Sequence, residues 1–271
     1  MLSTVVSNET LKKINLFEPP EWLGIDKEHE LPKEISQILR IMSNIESVCE
    51  SKGYIGENKE INFESLTCLT SLYEAIGRYK NLLKEENQEL KRDLESSFRN
   101  VVAFHVFGAR QTREDGSLYL GHLVGVSLIV RELGGGIPEQ TIALLHDILE
   151  DTFARDMNEG AGLNIERLYG EKVSNAVAEL TFEYGEAEAR TIIIRRKIEK
   201  YSTFNESEAL VKFSDIIFNL LTKLNPSAQY INERISFLKA IKPNLPSGCE
   251  STYNFFVERL QQSLVELNKK N

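Results

Sequence analysis

The sequence predicts an all-α protein, and three observations carry that expectation. Apolar residues recur at helical spacing in stretch after stretch between Ile35 and Leu267, strand-like alternation is almost absent from Asp93 onward, and Gly, Pro and Asn punctuate the boundaries. A chain of 271 residues can also bury a sizeable core. Its texture divides it into an N-terminal helical extension over 1–92, a central helical bundle over 93–242, and a linker with one further helix over 243–271.

The extension begins with FEPPEWLGIDKEHELP, where Pro19, Pro20, Gly24 and Pro32 favour loop or short helix. His29, within KEHE, reads as a solvated surface histidine. Two amphipathic helices follow, the first marked by Ile35, Ile38, Leu39, Met42, Ile45 and Val48, the second by Leu66, Leu69, Leu72, Tyr73, Ile76, Tyr79 and Leu83. Their apolar stripes are packing faces or, alternatively, a groove for a partner.

In the central region, Ser96 to Phe107 reads as a helix with His105 as a satisfied core histidine. GARQTREDGSLYLG reads as a loop, after which His122 opens a helix running to Leu133. Gly134, Gly135 and Gly136 stop that helix; no Lys-Ser/Thr follows them, so they are a cap and turn rather than a phosphate cradle. Pro138 suits the first turn of the next helix, which is expected to continue through His146 and Asp147. Asn164 is expected to cap IERLYG, and Val173, Ala176, Val177 and Leu180 to face the core from the helix after it. Arg190, Arg195, Arg196, Lys197 and Lys200 then form a solvated face or a place to receive anionic phosphate groups. Glu206 to Leu224 and Tyr253 to Leu267 complete the helices.

The chemistry concentrates around His146. His146, Asp147, Glu150 and Asp151 place one imidazole and three carboxylates on about one helical turn, flanked by Ile142, Ala143, Leu144, Leu145, Ile148 and Leu149. Charged groups on a buried helix need partners or a cation. At an effective dielectric of about 20, two carboxylates roughly 5 Å apart repel by about 3 kcal/mol, so a metal or strongly raised proton affinities are required. Imidazole nitrogen with carboxylate oxygen suits Mn, Fe, Zn or Ni. Asp215, Asn219 and Thr222 make a polar stripe at i, i+4 and i+7 on an otherwise apolar helix, which points to a ligand-lined cavity.

Composition narrows the function classes. A formal charge of -9 argues against a nucleic-acid polymer as partner. Cys49, Cys68 and Cys249 show no C-x-x-C pairing and are odd in number, which disfavours a disulfide framework and fits a reducing cytoplasm. The first residues lack a signal-peptide pattern, and no stretch reaches about 18 apolar residues, so neither secretion nor a membrane span is expected.

The segments QTREDGSLYLGH, HDILEDT, RLYGEKVSNAVAELT and VKFSDIIFNLLT together resemble the HD superfamily of metal-dependent phosphohydrolases, and within it the RelA/SpoT-type hydrolases of the alarmone (p)ppGpp. The resemblance covers about Asp93 to Lys242 and implies an all-α HD-domain bundle. It implies that His122, His146, Asp147 and Asp215 hold Mn²⁺, with another divalent transition metal as the alternative. It further implies Glu150 and Asp151 at the attacking water, Arg113 packed on the guanine, and Asn219 and Thr222 at the sugar or phosphate side. The implied reaction removes the 3'-pyrophosphate of (p)ppGpp, giving GDP or GTP. Too little chain follows Lys242 for the family's synthetase half, so hydrolysis alone is expected. Leu118, Leu123, Ile216 and Phe218 depart from the family's Pro, Pro, Arg and His, and each departure bears on the substrate. The alternatives are an HD-type nucleotidase or phosphodiesterase acting on another small nucleotide, and a non-catalytic nucleotide-binding module.

Overall fold

A computed structural model describes residues 21–23, 88–101, 104–105, 111, 113, 119–152, 164–185, 188–223 and 225–270. Among them the regular structure is entirely helical. The two amphipathic helices expected before residue 88, His29, Cys49, Cys68, Leu118 and Leu224 lie outside the described residues.

The described residues form ten α-helices, in order α1 (Gln88–Val101), α2 (Tyr119–Glu132), α3 (Ile137–Leu145), α4 (Ile148–Asp151), α5 (Ile165–Tyr169), α6 (Glu171–Leu180), α7 (Arg190–Tyr201), α8 (Glu206–Thr222), α9 (Ala228–Ile241) and α10 (Glu250–Lys270). Short 3-10 turns occupy Glu21–Leu23, Lys242–Asn244 and Ser247–Cys249. Helix α3 is central, packing against α1, α2, α6 and α8, while α9 joins α7 and α8 to α10. One continuous core results, running from Leu23 through Leu128, Leu144, Phe213 and Phe237 to Phe256 and Leu260. Burying each such side chain contributes roughly 1.5–3 kcal/mol.

Local chemistry sets the helix ends. After α2, Gly134 takes φ +92° and its N–H donates to the Arg131 carbonyl at 3.0 Å, while the Gly135 N–H reaches the Val130 carbonyl at 2.8 Å. This double closure needs a left-handed residue, which glycine adopts without steric penalty. The Gly136 N–H donates to Glu139 Oε2 at 3.0 Å and Pro138 stands in the first turn of α3. Asn164 caps α5 through the Arg167 N–H at 2.7 Å. At α8 the caps are reciprocal: Asn205 Oδ1 accepts from the Glu208 N–H at 3.1 Å and Glu208 Oε2 from the Asn205 N–H at 2.9 Å.

Four boundaries differ from the sequence expectation, the first being α1, which starts at Gln88 rather than Ser96 and so crosses the expected 92/93 division. Helix α2 begins at Tyr119 rather than His122, because Gly121 is accommodated inside the first turn. The helix expected to run through His146 and Asp147 is interrupted there: Asp147 adopts φ -101°, ψ 0°, and a short new helix starts at Ile148. Helix α10 spans Glu250–Lys270, longer at both ends than the periodicity indicates. Its Ser263 hydroxyl donates to the Trp22 carbonyl and the Trp22 indole N–H donates to the Lys223 carbonyl, both at 2.5 Å, tying the first described turn to the ends of α8 and α10.

Helices α2 and α8 approach closely at Gly125, where an added Cβ would stand 2.0 Å from Phe218 Cε2. Gly125→Ala is therefore expected to destabilise the fold by about 1–3 kcal/mol, the usual cost of overpacking a dense core. Phe218→Leu in the same chain should recover part of the loss. Urea unfolding of the single and double variants checks both; an unchanged midpoint for Gly125→Ala would remove the close approach as a constraint.

Candidate metal centre

The first turn of α2, the break between α3 and α4, and the middle of α8 meet at one point. His122 Nε2 lies 3.3 Å from Asp215 Oδ1 and 3.4 Å from Asp147 Oδ2. His146 Nε2 lies 3.0 Å from Asp147 Oδ2 and 3.9 Å from Asp215 Oδ1. One ligand atom from each of His122, His146 and Asp215 falls within 4.8 Å of the others, which is the spacing of a group able to hold a metal ion. Asp147 Oδ2, by contrast, already accepts the Tyr119 hydroxyl at 2.5 Å.

The hydrogen bond behind His146 fits a cation, whereas His122 Nδ1 has no hydrogen-bond partner among the described residues. His146 Nδ1 faces the Ala143 carbonyl at 2.7 Å, and a carbonyl can only accept, so Nδ1 carries the proton. That leaves the lone pair on Nε2, a buried atom with no hydrogen-bond partner among the described residues, directed at the shared centre. Burial by itself would lower the proton affinity of His146, but Asp147 and Asp215 overcome it and raise the group to about 9, so an ion bound at Nε2 would displace a proton from it. The same negative field attracts a metal ion. Two nitrogens and carboxylate oxygens form a donor set suited to a divalent transition metal.

Glu150 and Asp151 stand beside this centre in α4 and line the same cavity. Burial pushes the Glu150 carboxyl above its ordinary range, and the Phe182 N–H, donating to its Oε2 at 3.0 Å, draws it partly back. Asp151 accepts the Gln111 side-chain amide at 3.0 Å, and Gln111 bonds His105 Nδ1 at 2.7 Å. His105 is fully buried in the core as expected, but it is not fully satisfied: its Nε2 has no hydrogen-bond partner among the described residues, and its ring stacks on Tyr119 with centroids 5.3 Å apart. It supports two residues of the site.

The polar stripe of α8 faces the cavity as expected, and it is already wired. Arg113 donates to Asn219 Oδ1 at 3.1 Å and to the Thr222 hydroxyl at 2.8 Å, and its guanidinium lies 5.5 Å from the centroid of Phe218. Asn219 in turn donates to Asp215 Oδ1 at 2.6 Å. The departures Leu123, Ile216 and Phe218 are all buried in the core, and none lines the cavity.

Of the basic run in α7, only Lys197 lines the cavity. Arg190 forms a two-bond pair with Glu233, Arg195 pairs with Glu199, Arg196 with Glu188, and Lys200 donates to the Thr181 carbonyl. The run is therefore mostly a paired outer face. Sequence reasoning missed Tyr119 and Lys212 beside the metal-side carboxylates, and Lys223, Tyr230 and Arg234 elsewhere in the lining. Lys212 could have been found from its place three residues before Asp215, on the same helix face; Tyr230 and Arg234 carried no such signal, because nothing local relates α9 to the histidines.

Arg113, Tyr119, His122, Lys197, Lys212 and Asp215 are among the side chains that line one cavity of about 790 Å³. No described helix is long and apolar enough to cross a membrane. The family model of the HD domain matches residues 119–225. A solved structure described as "A metazoan ortholog of SpoT hydrolyzes ppGpp and plays a role in starvation responses" is 20% identical over 68% of this chain and 98% of that one, with a TM-score of 0.47. No curated protein matches. The matched span includes the meeting point of α2, the α3–α4 break and α8, so the similarity to the HD domain falls on the residues that build this centre.

Proposed function

We propose that the chain hydrolyses the 3'-pyrophosphate of (p)ppGpp, releasing pyrophosphate and leaving GDP or GTP. The observation that carries this reading is the charge layout of the cavity. A protein of net charge -9 lines the cavity with five cations, Arg113, Lys197, Lys212, Lys223 and Arg234, beside four carboxylates, Asp147, Glu150, Asp151 and Asp215, which a divalent ion would offset. A multiply phosphorylated small molecule suits that concentration of positive charge, and the volume suits a nucleotide. The QTREDGSLYLGH lead-in and the HDILEDT block favour the alarmone over other nucleotides.

In this reading His122, His146, Asp147 and Asp215 would hold Mn²⁺, which would supply Lewis-acid charge for a bound water and the phosphate. Glu150, with its raised proton affinity, accepts the water proton, and Asp151 orients the water. The water oxygen bonds to the phosphorus attached to the 3'-oxygen, the bond between them breaks, and the 3'-oxygen takes up a proton from solvent. Arg113, held by Asn219 and Thr222, offers its guanidinium plane to the guanine, and those two polar groups face the sugar or phosphate side. Lys197, Lys223 and Arg234 face the phosphates. We assign catalysis to residues 93–242, with 1–92 as a helical extension and 243–271 as a C-terminal linker and helix. The setting is a reducing cytoplasm, in which buried Cys249 remains a free thiol.

Pyrophosphate release from ppGpp, measured with and without Mn²⁺ and beside a panel of other nucleotides, tests the reading directly. Metal-dependent turnover of another nucleotide with none of ppGpp would move the assignment to a general HD nucleotidase or phosphodiesterase. Tight ppGpp binding without turnover would make it a binding module.

His146→Ala is expected to lose bound metal and activity together, since it removes a metal-side nitrogen. Glu150→Gln should keep the metal and lose about 10²-fold or more in kcat. Metal analysis alongside turnover separates the two, and a Glu150→Gln protein as fast as the parent would reduce Glu150 to a structural acid.

Arg113→Ala should raise KM for ppGpp more than about tenfold, equivalent to about 1.4 kcal/mol, with metal content unchanged. Equal KM values in the two proteins would remove Arg113 from the base site.

A further inference from the structure

We propose that Lys212 is a positioning residue that clamps the carboxylate of Asp215 for the metal from within the same helix. Asp215 is held at both oxygens by neighbours on its own face of α8. Lys212, three residues earlier, donates from Nζ to Oδ2 at 2.7 Å, and Asn219, four residues later, donates from Nδ2 to Oδ1 at 2.6 Å. The two imidazoles face Oδ1, at 3.3 Å from His122 Nε2 and 3.9 Å from His146 Nε2. Lys212 therefore takes the other oxygen, and the carboxylate plane is fixed with Oδ1 presented to the centre.

The burial of Lys212 makes this arrangement notable in physical terms. Its side chain is only 15% exposed and its ammonium lies 5.3 Å from the centroid of the Tyr201 ring, on the cavity wall. A buried ammonium beside a cation site works against the cation by simple repulsion. Charge balance does not require it, because a divalent ion would itself neutralise the carboxylates. Its contribution is orientation: a metal-side carboxylate that is hydrogen-bonded from behind loses less freedom when the ion arrives. The inference rests on the metal-centre reading above.

The two effects of Lys212 have opposite signs, which gives the test its direction. Mn²⁺ is titrated calorimetrically into the metal-free full chain of the parent, Lys212→Met, Lys212→Gln and His146→Ala, with circular dichroism confirming the fold of each. Met and Gln both remove the charge, but only Gln keeps a donor for Oδ2. The clamp predicts that Lys212→Met binds Mn²⁺ about tenfold or more weakly than the parent, and that Lys212→Gln retains most of the affinity. Tighter binding in both variants, or parental affinity in Lys212→Met, overturns the clamp and leaves Lys212 as a charge alone. Should Lys212→Met not fold, Lys212→Gln decides: affinity no higher than the parent's supports the clamp, and tighter binding overturns it. A parent that binds no Mn²⁺, or a His146→Ala protein that binds it as the parent does, overturns the metal-centre reading and the clamp with it.

Discussion

Asp147 and Asp215 both face the Nε2 atom of His122, and their carboxylates stand together on the largely buried floor of the cavity. Like charges at such separations repel by several kcal/mol in protein surroundings, and the remaining structure can be understood as the means of tolerating that repulsion. Tyr119 donates to one carboxylate, Lys212 and Asn219 to the other, and two imidazole nitrogens point into the gap. The cluster is stable as a set of matched donors and acceptors, and the same matching leaves a position at its centre for a divalent cation. Stability and chemistry thus arise from one arrangement.

Holding those groups together demands a rigid frame, and the frame is built from close helix contacts. Helix α3 has neighbours on several sides, so the break at Asp147 is supported all round. Gly125 lets α8 approach α2 closely enough for the Phe218 ring to seat on it, and that ring also meets His122 edge-on at 5.3 Å and Arg113 at 5.5 Å. An aromatic residue in the core thereby connects a metal-side histidine with a cavity-lining arginine. Core packing at native density transmits such placements to within fractions of an ångström, which is the tolerance a catalytic constellation needs.

Charge is segregated between the outer surface and the cavity. Most of the α7 cations are neutralised locally by Glu188, Glu199 and Glu233, where exposed pairs contribute little to stability. Lys197 differs because it turns inward: burial, with Lys212 nearby, lowers it to about 8. Its ammonium rests near the rings of Phe182 and Tyr184, at 4.8 and 4.9 Å, and is hydrogen-bonded to the Tyr184 hydroxyl. The short Thr181 to Gly185 connection therefore serves both walls, with its Phe182 amide on Glu150 and its aromatic rings beside Lys197.

The sequence by itself determined the helical class, the helix caps at Gly134 and Asn164, and the core faces of α6 and α8. Each of these follows from periodicity or from spacing within one element, information that a single helix carries locally. Even the polar stripe Asp215, Asn219 and Thr222 was legible, because its residues share one face at i, i+4 and i+7. The tertiary structure decided what depends on neighbours distant in the chain. It broke the helix at Asp147, gave Arg113 to Asn219 and Thr222, chose Lys197 from a run of five basic residues, and brought Tyr230 and Arg234 to the cavity. No local pattern encodes those outcomes, since they are fixed by how α2, α7, α8 and α9 pack around α3 and not by the propensity of any one segment.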